Sequence, residues 1–108
     1  MFNKLEALIR VPGISGYEEP ICNYISGEIS KLGLISRVDA LGSLITEIGS
    51  GDKSVVLIAH MDELGLIVSY IEDNGYIRFR KVGGIDDRTL IGRAVELLKR
   101  CWPWSDWD

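Results

Sequence analysis

Histidine occurs once in this 108-residue chain, at position 60, within the stretch AHMDELG and directly after the apolar run VVLIA. A neutral imidazole binds zinc or a similar divalent ion through one ring nitrogen. Its other N–H can donate to a carboxylate, which fixes the tautomer and raises the basicity of the ligand. Side chains alternate in extended backbone, so His60 and Asp62 project to the same side while Met61 turns away. His60 is therefore a candidate metal ligand and Asp62 its orienting partner. The alternative is an ordinary capped or exposed histidine beside a solvated acidic turn. One histidine does not make a metal site, since a catalytic zinc takes about three protein ligands and an open position.

Other groups carry weaker chemistry. Ser15 and Ser43 sit in no nucleophile-elbow pattern and have no second base. Glu18 and Glu19 suit the N-terminus of a helix electrostatically. Asp86 and Asp87 in GGIDDRT could reach a metal, but a turn rich in Gly and Asp explains them as well. Arg78, Arg80 and Lys81 belong to the solvated face of a strand. Cys22 and Cys101 are the only cysteines and form no C-x-x-C pair. They signal neither a disulfide framework nor a thiolate zinc site, and the default compartment is a reducing cytoplasm.

The elements that must position His60 follow from periodicity. VVLIA is apolar without interruption, as in a strand covered on both faces of an α/β sheet. Ligands gather at the carboxyl ends of strands in open α/β sheets, and this strand delivers His60 there. Upstream, Phe2, Leu5, Leu8 and Ile9 recur at helical spacing, with Asn3 and Glu6 as a possible capping pair. The loop VPGISG follows. A second amphipathic helix is expected from Glu18 to Leu32, with Ile21, Ile25, Ile29 and Leu32 on one face. Pro20 is tolerable only in its first turn, and Gly33 suits its C-terminal cap.

LISRVD and SLITEI are short and β-branched, two strands joined through ALG. Downstream of His60, LGLIVSYI and GYIRFRKV flank EDNG, where Asn74-Gly75 supplies the positive φ angles of a tight hairpin turn.

The length suits one domain with a modest core, and 46% hydrophobic with 26% charged residues indicates a globular chain. A formal charge of −4 offers no basic surface for nucleic acid or an anionic membrane. The N-terminal residues carry Lys4, Glu6 and Arg10, which interrupt the apolar run a signal peptide needs, and no stretch approaches membrane-spanning length.

PGISGYEEPI, DALGSLI, VVLIAHMDELGLIV and GYIRFRKVGGIDDRTLIGRAVEL, in that order and at those spacings, resemble the N-terminal part of the glutamyl and tetrahedral aminopeptidase family. The match covers residues 1 to 98. It implies a two-metal exopeptidase that removes N-terminal residues from peptides in the cytoplasm and assembles into a hollow homo-oligomer. By this resemblance His60 is a metal ligand and Asp62 the catalytic residue that orients it. The metal is divalent, zinc or cobalt, with two ions in a complete site.

The fold implied is α/β. Residues 1–66 form the first part of a zinc-peptidase-like catalytic domain, and 67–100 open an inserted β-rich dimerisation domain with a hairpin. An incomplete insert would leave strand edges open to self-association.

Family members are much longer. The bridging aspartate, the general-base glutamate, the other carboxylate ligands and the distal histidine of the pattern are not in this sequence, so the chain alone is expected to be inactive. Ser43 stands where the family usually shows asparagine. The last eight residues, 101–108, read CWPWSDWD and hold all three tryptophans. A shifted or prematurely ended reading frame would give such a break in composition; a tryptophan-rich recognition tail is the alternative. The competing functional reading is a non-catalytic remnant or assembly module of the same family.

Overall fold

The computed structural model describes residues 2–98. Two helices open the chain, α1 (Phe2–Ile9) and α2 (Glu19–Lys31), followed by strands β1 (Ser36–Val38) and β2 (Leu44–Thr46). A longer hairpin, β3 (Gly65–Ile71) with β4 (Ile77–Val82), precedes a single helical turn, α3 (Asp87–Leu90). The architecture is mixed α/β, with two separate antiparallel two-stranded sheets.

Local chemistry explains each element. In α1, Asn3 and Glu6 both lie within the helix and do not cap it. Glu6 instead accepts from the Arg10 guanidinium at 2.7 Å, an i,i+4 pair along an exposed face. Helix α2 has Pro20 in its first turn, where the missing N–H costs nothing. It closes at Gly33, which takes φ of 75°. The Gly33 N–H bonds to the Ser30 carbonyl at 3.0 Å and the Leu34 N–H to the Ile29 carbonyl at 3.4 Å, the paired bonds of a Schellman cap.

Strands β1 and β2 pair with Arg37 opposite Ile45. Their connecting turn is organised by Asp39, whose Oδ1 accepts from the Leu41 and Ser43 amides at 2.9 and 2.8 Å. These two amides, Ser43 foremost, hold the Asp39 carboxyl below the ordinary carboxylate value.

The β3–β4 hairpin forms as the sequence predicts, with one correction at its turn. Gly75 alone adopts positive φ, at 87°. Asn74 instead uses its side chain, accepting from the Tyr76 amide at 3.0 Å. The Gly75 amide reaches the Glu72 carbonyl at 2.8 Å, so a left-handed glycine closes a three-residue loop. The register slips between Val68 and Tyr70. That bulge keeps Leu66, Val68 and Ile71 on the face they share with Ile77 and Phe79, opposite which lie Ile67, Tyr70, Arg78 and Arg80.

The expectation of a single packed core is not met. Among the described residues only Ile21 and Cys22 are buried hydrophobics, both on α2. Ile25 and Ile29 of the anticipated face are half-buried, and Leu32 is exposed. The radius of gyration is 18.0 Å, against about 13 Å for a compact domain near this size.

The expected VVLIA strand is a second correction: residues 55–59 join no strand, and Val55, Leu57 and Ile58 are about nine-tenths exposed. A strand covered on both faces requires ladder partners and packed layers. The four strands described are already paired two by two, and none runs beside this segment.

What joins the two halves is a pinch. Ile14 and Glu63 form an isolated parallel bridge, with the Glu63 amide donating to the Gly13 carbonyl at 2.7 Å and the Ser15 amide to the Glu63 carbonyl at 3.3 Å. No described helix is long and apolar enough to cross a membrane. The tryptophan-rich stretch 101–108, with Cys101, lies outside the described residues.

Candidate functional site

The pinch brings the VPGISG loop against the segment that follows VVLIA, and the only histidine lies beside it. Although residues 55–59 are not a strand, the His-x-Asp spacing works as alternation requires. His60 Nδ1 lies 3.1 Å from Asp62 Oδ1 and 3.0 Å from the Asp62 carbonyl oxygen. Both partners are acceptors, so the proton belongs on Nδ1 and the lone pair on Nε2. The His60 side chain is 86% exposed, which leaves Nε2 accessible.

Asp62 is held from its other side. The Ser15 hydroxyl donates to Asp62 Oδ2 at 2.5 Å. This bond is the leading cause of a depressed Asp62 carboxyl; desolvation opposes it and the His60 hydrogen bond adds to it. Glu63 locks the same junction: its Oε1 accepts from the Gly13 amide at 3.2 Å while its backbone makes the bridge. In the sequence Ser15 stands out only as a possible nucleophile, and its partner lies 47 positions away. No spacing rule could have found the pair.

The remaining candidates have structural roles. Asp86 caps α3 through the Arg88 amide at 3.0 Å and also binds the Arg88 side chain. Asp87 pairs with Lys81 at 2.8 Å, and Glu18 accepts from the Gly16 amide at 2.7 Å. Arg78 is not simply solvated, since its Nε donates to Glu72 at 2.6 Å.

As a metal site the arrangement is partial. The imidazole orientation fits one coordination position, but no group of three His, Cys, Asp or Glu side chains able to hold an ion occurs among the described residues. The chain supplies one oriented donor, and no catalytic step is assigned to it.

A mixed α/β chain carrying a carboxylate-oriented histidine has its relatives among the aminopeptidases. A lysyl aminopeptidase of Pyrococcus furiosus is 32% identical over 95 residues, covering 87% of this chain and 28% of that protein. The solved PhTET1-12s dodecamer superposes with a TM-score of 0.79 at 52% identity, over 86% of this chain and 28% of that one. A Pyrococcus horikoshii TET1 peptidase that can assemble into a tetrahedron or a large octahedral shell gives a TM-score of 0.75 at 50% identity, over 82% and 27%.

The model of the M42 glutamyl aminopeptidase family matches residues 42–102. The chain belongs to this family. It spans a little under a third of the length of the relatives it matches, in the N-terminal part of the TET peptidase structures.

Proposed function

We propose that this chain contributes the first metal ligand of a metal-dependent aminopeptidase that removes N-terminal residues from peptides. His60 is that ligand, through Nε2, and Asp62 orients it. The observation that carries the reading is the 3.1 Å contact between His60 Nδ1 and Asp62 Oδ1, which leaves the second ring nitrogen open. The ion would be zinc or cobalt, two per complete site, and when bound would supply polarisation of the scissile carbonyl and activation of the attacking water. One ligand cannot hold such an ion tightly, so the 108-residue chain alone is inactive.

Aminopeptidase names among the relatives support a peptidase, and the assemblies of the structural neighbours support a homo-oligomer; the reading places it in the cytoplasm. In this reading the β3–β4 hairpin opens an inserted dimerisation domain. The apolar face of that hairpin, together with the incomplete donor set, favours one competing reading: an assembly module without catalysis.

The test is an aminoacyl chromogenic assay with added zinc or cobalt, paired with calorimetric metal titration of the wild type and His60→Ala. No turnover, with weak binding that falls at least about 10-fold in His60→Ala, is expected. Metal binding indifferent to His60→Ala would remove the ligand assignment, and turnover abolished by it would show a complete site in this chain.

A further inference from the structure

We infer that Ser15 is a positioning residue for the His60 imidazole, acting through Asp62. This deepens the functional reading above and rests on it for its purpose, though not for its geometry. The Ser15 hydroxyl occupies Asp62 Oδ2 at 2.5 Å, while His60 Nδ1 occupies Oδ1 at 3.1 Å. A carboxylate with one oxygen anchored cannot rotate freely about its Cβ–Cγ bond, so the other oxygen stays aimed at the imidazole. The three residues form a line in which a hydroxyl fixes a carboxylate and the carboxylate fixes a ring.

Ser15 is itself fixed. Its amide donates to the Glu63 carbonyl at 3.3 Å, and the neighbouring Ile14 bridges to Glu63. The hydroxyl thus reaches Asp62 from backbone tied to the residue next to Asp62. The VPGISG loop is thereby part of the site, and its role is to set which ring nitrogen presents a lone pair.

A rival holds the tautomer without Ser15: the Asp62 carbonyl, 3.0 Å from Nδ1, could suffice alone. The two are separable because the chain contains one histidine, whose ring nitrogens give unambiguous signals.

The experiment is long-range nitrogen–proton NMR of His60 in the metal-free chain near pH 8.5, about two units above the ordinary histidine value. In the wild type the Nδ1–H tautomer should dominate, and the Ser15 hydroxyl proton should exchange slowly with water. Ser15→Ala should lower the Nδ1–H to Nε2–H ratio about 2- to 10-fold, the range of one net hydrogen bond, and Ser15→Thr should restore it. Amide shifts of residues 65–82 should stay in place, separating loss of orientation from loss of fold.

An unchanged ratio in Ser15→Ala, or a fast-exchanging hydroxyl in the wild type, would overturn the inference. Zinc titration of the same variants reports separately on the functional reading. Binding that ignores both His60→Ala and Ser15→Ala would refute the metal role, while the tautomer ratio would still decide the positioning role.

Discussion

Gly13 lies so close to Ile21 that a β-carbon added to it would sit 2.9 Å from Ile21 Cγ2 and 3.2 Å from the Met61 carbonyl oxygen. The absence of a side chain at one end of the pinch is what lets α2, the loop and the site segment converge. Gly13→Ala must push against both a branched side chain and backbone. Overpacking of this kind costs about 1–3 kcal/mol. Urea unfolding should show a lowered midpoint, and an unchanged midpoint would mean that the three segments can separate freely.

The β1–β2 turn should respond to acid. Asp39 has its carboxyl held below 3.8 by the Ser43 and Leu41 amides, so its contribution is present above that pH and is lost as pH falls through the depressed value. The Ser43 and Leu41 amide resonances should therefore move together with a midpoint under 3.8, and Asp39→Asn should abolish the transition. A midpoint at or above the ordinary value would contradict the bonding described.

Gly75 is the residue that lets β3 turn into β4. With φ at 87°, a Cβ meets no other atom there but is strained by its own backbone. Gly75→Ala should weaken the hairpin by about 1–2 kcal/mol, read as lost amide protection in residues 65–82. Asn74→Gly, which removes the side-chain bond to the Tyr76 amide without any φ requirement, should have a smaller effect.

The apolar face of the same hairpin predicts association. Val68, Ile71, Ile77 and Phe79 are 39–59% exposed, and the edges of a two-stranded ladder offer unpaired backbone groups. Light scattering after size exclusion should give an apparent mass at least about twice that of one chain, as in a two-fold dimer. Phe79→Asp should shift it toward the monomer. A monomer at high concentration would sink this prediction.

Much of the local structure was legible because its causes are local. The Gly33 cap, Pro20 in the first turn of α2 and Gly75 in the hairpin each rest on dihedral preferences that a residue carries with it. The His60–Asp62 contact was equally readable, since two residues of alternation decide it. VVLIA departs from its expected strand for the opposite reason: burial of a central strand is a property of its neighbours, and none of the described strands lies alongside. Asn3 and Glu6 matched a capping pattern, but the helix begins early enough to place both inside it. Ser15 was invisible because its partner stands 47 positions away, and only tertiary contact reveals it.

The Ile14–Glu63 bridge and the Ser15–Asp62 bond close a loop of nearly fifty residues, whereas every other ladder closes locally. Closing such a loop costs roughly 3 kcal/mol of chain entropy by the logarithmic length law. The helices and hairpins therefore form in microseconds on their own, and the arrangement around His60 waits for a slower encounter of distant segments. The same asymmetry runs in reverse at equilibrium. The Glu63 and Ser15 amides should exchange with deuterium well before those of α2 or β3, so that the imidazole loses its orientation in brief openings that leave the rest of the secondary structure intact.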